Sequence, residues 1–351
     1  MKKQPKITII TVTYNLLKAK RKEMFAQNVE SVQKQTYKNI EHIVIDGAST
    51  DGTVEMLEEY QKQGLIKYYS EPDKGIYDAM NKGIKKAKGK YITFLNSDDF
   101  YHKTDGIKRV VDFLCRKEMD FCYSPVNYIY ENGKEMGIFS NEIGCWFVRM
   151  PFSHQSLFVK KSLMEKLKGF DDKHFKSAGD YDFVMRMIMC GAIGYEMPYN
   201  FVNFRLGGFS DTQQQKSVDE CIKSFEKNYK KLCPNIDAKT MFIDMVVPTK
   251  LYDALENMVS TEIKQKMKNV YNSAQNVKNN YKRISCIPYI KIQKITKIKL
   301  FCFLTVIKCK LLGNVKKISV LGLPIVKIYK KSESSSLLYF CGIPILKVTS
   351  K

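Results

Sequence analysis

The chain has 351 residues, 44% of them hydrophobic, which is enough for one large folded domain and an appendage. Its ten cysteines form no C-x-x-C pair and have irregular spacing, so the sequence indicates neither a zinc site nor a disulfide framework. The net charge is +22, and residues 263–351 hold 19 lysines and arginines and one acidic residue, so most of the excess charge lies there.

The first hundred residues alternate between apolar runs and amphipathic stretches. Four apolar, β-branched runs are predicted strands: Lys6 to Val12, Ile40 to Ile45, Leu65 to Tyr69 and Tyr91 to Leu95. Helical spacing of apolar residues follows the second and third runs, at Val54, Leu57 and Tyr60 and at Ile76, Met80, Ile84 and Ala87. This order predicts an α/β protein with a doubly wound, mostly parallel sheet.

Polar residues follow the predicted strands. Asn96, Ser97, Asp98 and Asp99 come after Leu95, and Asp46 follows the second strand. Ligands of open α/β sheets bind outside the carboxyl ends of the strands, so these residues are candidates for a site. Neighbouring carboxylates repel one another and are costly to desolvate, so we expect a cation or a hydrogen-bonding ligand nearby. Ordinary turns and helix caps are the alternative interpretation.

The sequence contains no phosphate-binding G-x-G-x-x-G segment and no Walker loop, so phosphates must be held in another way. Asp73 and Lys74 lie at the predicted start of the third helix, where the helix dipole favours anions. A hard divalent cation on Asp98, sharing phosphate oxygens with the ligand, is the favoured solution.

Four segments together resemble the successive motifs of the family 2 glycosyltransferases of GT-A fold. They are Ile10 to Asn15, Ile45 to Thr53, Asp78 to Gly83 and Phe94 to Asp99. The resemblance covers about residues 6–210, with the motifs in the expected order. It implies a GT-A, Rossmann-like fold and an enzyme that transfers a sugar from a nucleotide diphosphate donor with inversion.

The resemblance also assigns a donor site. It implies that Asp46 accepts the N3–H of uracil, and a carboxylate acceptor leaves cytosine and adenine unpaired. It implies that Asp98 holds Mn²⁺ or Mg²⁺ between the two phosphates. The predicted nucleotide-sugar site comprises Val12, Tyr14, Asn15, Asp46, Asp73, Lys74, Asn81, Asn96, Ser97 and Asp98. Turn and helix capping is the alternative for Asp46 and the favoured role for Asp51.

The chain departs from the family pattern at two positions. Asn96 stands where the family has the first Asp of its Asp-x-Asp signature, which removes one negative charge from the metal site. Met80 stands where many members carry a basic residue, a charge that Lys74 or Lys82 can supply.

The second half of the resemblance predicts the acceptor site and the catalytic base. Phe152 to Val159, Gly169 to Asp171 and Ser177 to Arg186 are similar to the family's acceptor half. There the family has a Glu-Asp pair that provides the base, and this chain has Gly179 and Asp180. A positioned base contributes about a hundredfold or more to attack by a sugar hydroxyl. Asp182 ranks second, and helix capping is the alternative role for Asp180.

Two further residues are candidates for acceptor binding. His154 lies in a Ser-His-Gln segment where it can touch the acceptor or a phosphate, although a hydrogen bond to nearby backbone explains it equally well. Trp146 offers an aromatic face for sugar C–H groups, or it belongs to the core. The other histidines are not assigned to a metal.

We predict three parts. Residues 1–215 form the GT-A domain, with a nucleotide-sugar half at 1–100 and an acceptor half at 101–215. Residues 216–283 form a helical extension and a polar linker, and residues 284–351 form a basic tail with short strands. In the tail Gly322 to Ile328 recurs as Gly342 to Val348, with a looser copy at Phe303 to Cys309. These runs are too short to span a bilayer.

The expected function is transfer from a nucleotide sugar, with UDP-sugar favoured, to a glycan or lipid-linked acceptor of a bacterial surface polysaccharide. The first residues leave no room for a signal peptide before the first strand, so we expect a cytoplasmic enzyme, peripheral at the inner membrane face. The lysine-rich tail predicts attachment to anionic lipid, with strand packing as its alternative. A non-catalytic sugar-nucleotide-binding relative is a competing interpretation, and a nucleic-acid binder is disfavoured by the absence of a recognised motif.

Overall fold

The computed structural model describes residues 4–139, 141–208, 214–244 and 247–281, together with five strand segments between residues 308 and 349. The chain divides into two compact units, Met1–Val270 and Tyr271–Lys351. Among the described residues no helix is both long and apolar enough to cross a membrane.

The strands of the first unit are β1 (Ile7–Thr13), β2 (Ile40–Asp46), β3 (Lys67–Ser70), β4 (Tyr91–Phe94), β5 (Phe100–Tyr101), β6 (Phe121–Tyr123), β7 (Val126–Ile129), β8 (Glu135–Phe139), β9 (Phe158–Lys160), β10 (Gly194–Glu196) and β11 (Val202–Arg205). The helices are α1 (Lys22–Gln33), α2 (Thr53–Lys62), α3 (Ile76–Lys86), α4 (Gly106–Arg116), α5 (Lys161–Lys166), α6 (Gly179–Met189), α7 (Gln214–Tyr229), α8 (Ala238–Asp244), α9 (Thr249–Glu256) and α10 (Thr261–Tyr281). Two short 3₁₀ turns, Ile143–Cys145 and His154–Ser156, complete this part.

A seven-stranded sheet with the order β10-β6-β9-β4-β1-β2-β3 forms the centre of the first unit. Strand β9 is antiparallel to β4 and β6, and the other neighbours pair in parallel. Strands β1 and β2 are buried along almost their whole length, as expected for apolar strands with helices on a parallel sheet. The predicted α/β class with a mostly parallel sheet is confirmed.

The register of the sheet brings the polar strand ends together. Thr13 pairs with Asp46, Asp46 pairs with Ser70, and Ile10 pairs with Phe94, so four consecutive segments end at one edge. A second, four-stranded sheet with the order β5-β11-β7-β8 follows directly, because β5 begins one residue after Asp99. Both sheets therefore meet at the segment from Asn96 to Asp99.

Apolar helix faces hold this sheet in place. Phe25 and Val29 of α1 pack with Leu57 of α2 and Val44 of β2 in one cluster. Four residues of α4 at helical spacing join a larger cluster with β1, β4 and β6: Ile107, Val110, Val111 and Leu114. Complete burial of such a side chain stabilises the fold by roughly 1.5–3 kcal/mol.

Helices α7 to α10 form the predicted helical extension. Phe225, Leu251, Leu255, Ile263 and Met267 are completely buried. The polar segment that we interpreted as a linker is helical instead, because α10 continues to Tyr281. Ile263, Met267 and Tyr271 repeat every four residues and give this helix a buried stripe despite its polar composition.

The strands of the second unit form a separate antiparallel sheet. They are β12 (Lys308–Leu312), β13 (Val315–Val320), β14 (Leu323–Ser332), β15 (Ser335–Phe340) and β16 (Ile343–Thr349), in sequential order. The two clear sequence copies become β14 and β16, and Pro324 and Pro344 each lie next to a register shift at the same point of their hairpins. The short-strand appendage is thus confirmed, while Phe303 to Ile307 of the looser copy lie outside the described residues.

Candidate functional site

Asp46 at the end of β2 is completely buried and accepts four hydrogen bonds from the protein. Thr13 Oγ1 and Ser49 Oγ donate to its Oδ1 at 3.1 and 2.6 Å, and Ser49 N and Ser70 Oγ donate to its Oδ2 at 2.8 Å each. A carboxylate has about four acceptor positions, and here each has a donor. Asp46 therefore ties together the ends of β1, β2 and β3, and its predicted base contact would require one of these bonds to break.

The end of β1 presents an aromatic ring to solvent. The side chain of Tyr14 is 66% exposed, and Val12 beside it is partly buried. Asn15 has a left-handed backbone with φ of 48°, its backbone N–H bonds to Ser49 Oγ at 2.7 Å, and its side chain accepts from Thr50 N. Asn15 thus fixes the turn, while the ring of Tyr14 is available to a ligand.

The segment before α3 contributes a second carboxylate. Asp73 is partly buried, and its Oδ1 accepts from Gly75 N at 2.8 Å. Lys74 has an exposed side chain, and its backbone carbonyl accepts from Lys176 Nζ at 2.9 Å. This last contact joins the start of α3 to the segment before α6.

Asn81 is used within the protein. Its amide donates to Phe170 O at 2.9 Å and to Asp172 Oδ1 at 3.3 Å, and its Oδ1 accepts from Phe170 N at 2.9 Å. These bonds join α3 to the loop after α5. Its predicted contact with ribose or diphosphate stays a prediction, and this network gives Asn81 a structural role.

The Asn96 to Asp99 turn is held by buried groups. Asn28 of α1 donates to Asn96 O and Asp99 O at 2.8 and 2.9 Å. Arg205 donates from its backbone N–H to Asp99 Oδ1 at 2.7 Å and from Nε to Asp98 O at 3.1 Å. Ser97 is 9% exposed, and the buried Oδ1 of Asn96 has no hydrogen-bond partner among the described residues.

The carboxylate of Asp98 is paired with an arginine. Arg21 NH1 lies 2.8 Å from Asp98 Oδ2, and the two side chains are 32% and 10% exposed. Burial, and then the negative charge of Asp98, raise the pKa of Asp99 well above its usual range. The turn therefore combines a carboxylate that is paired with an arginine and a neighbour whose protonation is favoured.

The described residues contain no group of three His, Cys, Asp or Glu side chains arranged around a metal position. Oxygen atoms suited to a hard cation are nevertheless present in Asp98, Ser97 and the orphaned Oδ1 of Asn96. Mg²⁺ is commonly held by one or two carboxylates and substrate phosphates, so this donor set fits a cation that binds with its substrate.

Asp180 at the start of α6 lies in a polar cluster. Its Oδ2 is 3.0 Å from His154 Nδ1, and its Oδ1 accepts from Tyr77 OH at 3.1 Å and Tyr181 N at 2.9 Å. Burial alone would raise the pKa of Asp180, but the bond and charge of His154 and the donors Tyr181 N and Tyr77 OH outweigh it, so the pKa is lowered. With 22% of its side chain exposed, Asp180 is an accessible, ionised carboxylate.

Asp182 has a different environment on the same helix. It is completely buried, its Oδ2 accepts from Arg186 Nε at 2.7 Å, and its Oδ1 accepts from Lys227 Nζ and Asn228 Nδ2 at 3.0 Å. Asp182 joins α6 to α7 and has no open face toward a substrate. This agrees with ranking it below Asp180.

One turn connects the two carboxylate groups. His154 contacts Asp180, and the side chain of the next residue, Gln155, acts on Asp99, where it partly offsets the raised pKa of that carboxyl. The 3₁₀ turn His154–Ser156 therefore contacts Asp180 through one residue and acts on Asp99 through the next. Trp146 has no such position: it is completely buried, which supports the core role and leaves no face for an acceptor.

Helix α7 fixes the start of α6. The carboxylate of Glu220 accepts from the backbone N–H groups of Lys176, Ser177 and Ala178 at 2.7–3.0 Å. These donors immediately precede Asp180, so the helical extension helps to position the predicted base.

Sequence analysis missed Asn28, Arg21, Arg205, Tyr77 and Glu220. Arg21 and Arg205 contact the Asp98 segment from 77 and 107 residues away in the chain, so only the fold brings them there. The sequence gives only one indication of these two arginines, which is that a buried carboxylate needs a charged partner.

Comparisons with known proteins agree with this architecture. The model of the family described as Glycosyl transferase family 2 matches residues 8–177. An uncharacterized glycosyltransferase of Mycobacterium tuberculosis is 34% identical over 201 residues, 53% of this chain and 70% of the relative. The mannosyltransferase PcManGT from Pyrobaculum calidifontis, solved in complex with GDP-Man and Mn²⁺, matches with a TM-score of 0.52 at 15% identity, covering 82% of each chain, a likeness of fold.

Two relatives with more descriptive names match shorter regions. The Escherichia coli UDP-Glc:alpha-D-GlcNAc-diphosphoundecaprenol beta-1,3-glucosyltransferase WfaP is 36% identical over 135 residues, 38% of this chain and 51% of that enzyme. The putative teichuronic acid biosynthesis glycosyltransferase TuaG of Bacillus subtilis is 29% identical over 138 residues, 39% of this chain and 52% of that protein. With the family match, the Mycobacterium relative and the GT-A fold, the chain belongs to glycosyltransferase family 2.

Proposed function

We propose that the protein is an inverting glycosyltransferase that moves a sugar from a UDP-sugar to a hydroxyl of a glycan or lipid-linked acceptor in surface polysaccharide synthesis. The observation that carries this proposal is the turn His154–Ser156, because His154 contacts Asp180 and the adjacent Gln155 acts on Asp99 of the strand-end segment. The name of WfaP supports a UDP-sugar donor and a lipid-linked acceptor, and the name of TuaG supports a role in polysaccharide synthesis.

Asp180 is the proposed base. The acceptor hydroxyl attacks the anomeric carbon, its proton passes to a carboxylate oxygen of Asp180, and the bond from that carbon to the diphosphate oxygen breaks. Attack on the face opposite the diphosphate inverts the anomeric centre. His154 and Tyr77 hold the carboxylate in position and keep it ionised, which is the state a base needs.

The leaving diphosphate belongs at Asp98. Asp98, Ser97 and Asn96 would hold Mn²⁺ or Mg²⁺, and such a cation would neutralise charge on the departing phosphates. Arg21 contributes a positive charge at the same place, 2.8 Å from Asp98. The GDP-Man and Mn²⁺ complex of PcManGT supports a cation of this kind.

A panel of UDP-, GDP-, dTDP- and CDP-sugars, tested with and without Mn²⁺, checks the proposal. We expect release of the nucleoside diphosphate from a UDP-sugar, with NMR of the product showing an inverted anomeric centre. Retained configuration, or no turnover of any nucleotide sugar with a range of glycan and lipid-linked acceptors, would contradict it.

A further inference from the structure

We propose that Asp73, rather than Asp46, is the carboxylate that accepts the imino N–H of the uracil base, which would make Asp73 a specificity-determining residue. This inference rests on the proposed function, because it takes the ligand to be a uridine nucleotide. It concerns the neighbourhood of Gly47, the first residue after β2.

Asp46 has no acceptor position left for a base. Its two oxygens already accept four hydrogen bonds from Thr13, Ser49 and Ser70, and its side chain has no exposed area. A base that bonded to Asp46 would have to displace one of these donors, which would cost a hydrogen bond within the protein.

Asp73 occupies the space above the next residue. A methyl group on Gly47 would overlap Asp73 Oδ2 and lie 3.2 Å from both Asp73 Cγ and Tyr14 Cδ2. The carboxylate of Asp73 thus fills the place of the side chain that Gly47 lacks, next to the exposed ring of Tyr14. An aromatic face beside a carboxylate suits a planar base that carries an N–H at its edge.

The orientation of Asp73 is fixed by one hydrogen bond. Gly75 N donates to Oδ1 at 2.8 Å, and Oδ2 accepts none from the described residues. Because a carboxylate only accepts, it pairs with the N3–H of uracil or thymine and repels the bare ring nitrogen of cytosine or adenine. A single open oxygen suits this one donor better than the two adjacent donors of guanine.

The test is the affinity of the full-length chain for UDP, dTDP, CDP and GDP, measured by calorimetry with Mn²⁺ present. For the wild type we expect UDP and dTDP to bind about tenfold or more tighter than CDP. In Asp73→Asn the added N–H₂ can donate to cytosine, so the ratio of CDP to UDP dissociation constants falls at least about tenfold. Similar dTDP and UDP affinities would show that the site admits the thymine methyl group.

Three further variants separate the alternatives. Asp112→Asn on α4 makes the same charge change at a half-exposed residue outside the strand-end cluster and should leave the ratio unchanged. Asp46→Asn should lower the melting temperature and keep the ratio. Gly47→Ala, which pushes against Asp73, should weaken UDP binding in the wild type but have little further effect in Asp73→Asn.

Each outcome decides the assignment. If Asp73→Asn keeps the wild-type ratio, or if folded Asp46→Asn loses it, the base contact belongs elsewhere while the proposed function stands. If the wild type prefers CDP or GDP, the assignment is overturned. If it binds no nucleotide, the proposed function fails together with this inference.

Discussion

Asp180 and Asp182 lie two residues apart, yet their surroundings give them different roles. Asp180 is partly exposed, whereas Asp182 is completely buried in a network with Arg186 and Lys227. In Asp180→Asn we expect kcat to fall by about two orders of magnitude or more, because the base is lost while the volume is kept. Donor affinity, measured by calorimetry, should not change.

Asp182→Asn is the matched control for that variant. It weakens a buried ion pair, so its melting temperature should fall while the folded protein keeps most of its kcat. If transfer survives in Asp180→Asn and the folded Asp182→Asn is inactive, the base is Asp182.

The hydrogen bond between His154 and Asp180 predicts the pH dependence of transfer. The lowered pKa of Asp180 keeps the base ionised at neutral pH, so wild-type kcat should decline only below the usual range of carboxyl groups. His154→Gln removes the imidazole that contributes most to lowering the pKa of Asp180, so this pKa rises and the acidic limb of the kcat profile moves to higher pH. An acidic limb that does not move would show that His154 does not tune the base.

Asp98 predicts the response to metal. Because Asp98 is the carboxylate of the proposed cation site, Asp98→Ala should abolish transfer and weaken binding of UDP. Removal of metal from the wild type with EDTA should have the same effect, and added Mn²⁺ should restore activity. Full activity in excess EDTA would contradict the role of the cation.

Residue types and strand ends predicted which residues approach the site, but they did not predict which of them are open to a ligand. Asp46 is saturated because Ser49 and Ser70 happen to point at it, and Trp146 is covered because Tyr181 and Tyr229 donate to the carbonyls of Trp146 and Phe147. Apart from Ser49, these contacts come from side chains distant in sequence, so a single sequence does not encode them locally.

At the scale of elements, strand prediction was accurate in the first hundred residues, because β1, β2 and β4 are buried strands that read as continuous apolar runs. The four predicted strands coincide with β1 to β4 within about two residues at each end. Helix α10 was harder, because few of its residues are apolar and its polar C-terminal part resembles a linker in composition.

Glu220 of α7 leads to a prediction about how one helix positions the catalytic base on another. Glu220→Gln weakens the three backbone hydrogen bonds before Asp180, so kcat should fall about tenfold through misplacement of the base, and Asp180 should keep its lowered pKa. The exposed Glu226→Gln on the same helix is the control. If kcat is unchanged while the melting temperature falls, α7 has only a structural role.

At the scale of the whole molecule, the chain divides into two compact units between Val270 and Tyr271, and this point coincides with neither of the predicted boundaries. We continue to propose residues 1–215 as the catalytic domain, 216–283 as its extension and 284–351 as the tail. Because Glu220 and Lys227 bond to residues around α6, we expect a chain cut at residue 215 to lose activity, in contrast to a cut beyond α10.

The last prediction concerns the tail, where 19 lysines and arginines face a single acidic residue over residues 263–351. We expect the full-length chain to bind anionic liposomes at low salt, since each basic residue near the surface contributes about 1 kcal/mol, and to leave neutral liposomes unbound. Binding should weaken as salt shortens the Debye length from roughly 10 Å at 0.1 M to about 3 Å at 1 M.

A chain that ends at Arg283 keeps α10 complete and loses the five strands of the second unit. It should stay folded and transfer sugar to a water-soluble acceptor, but it should lose liposome binding and activity on a lipid-linked acceptor. Sedimentation with liposomes and both transfer assays measure this directly. If the truncated chain unfolds, or if the full-length chain ignores anionic liposomes at low salt, the repeats serve to stabilise the protein and their lysines are merely solvated.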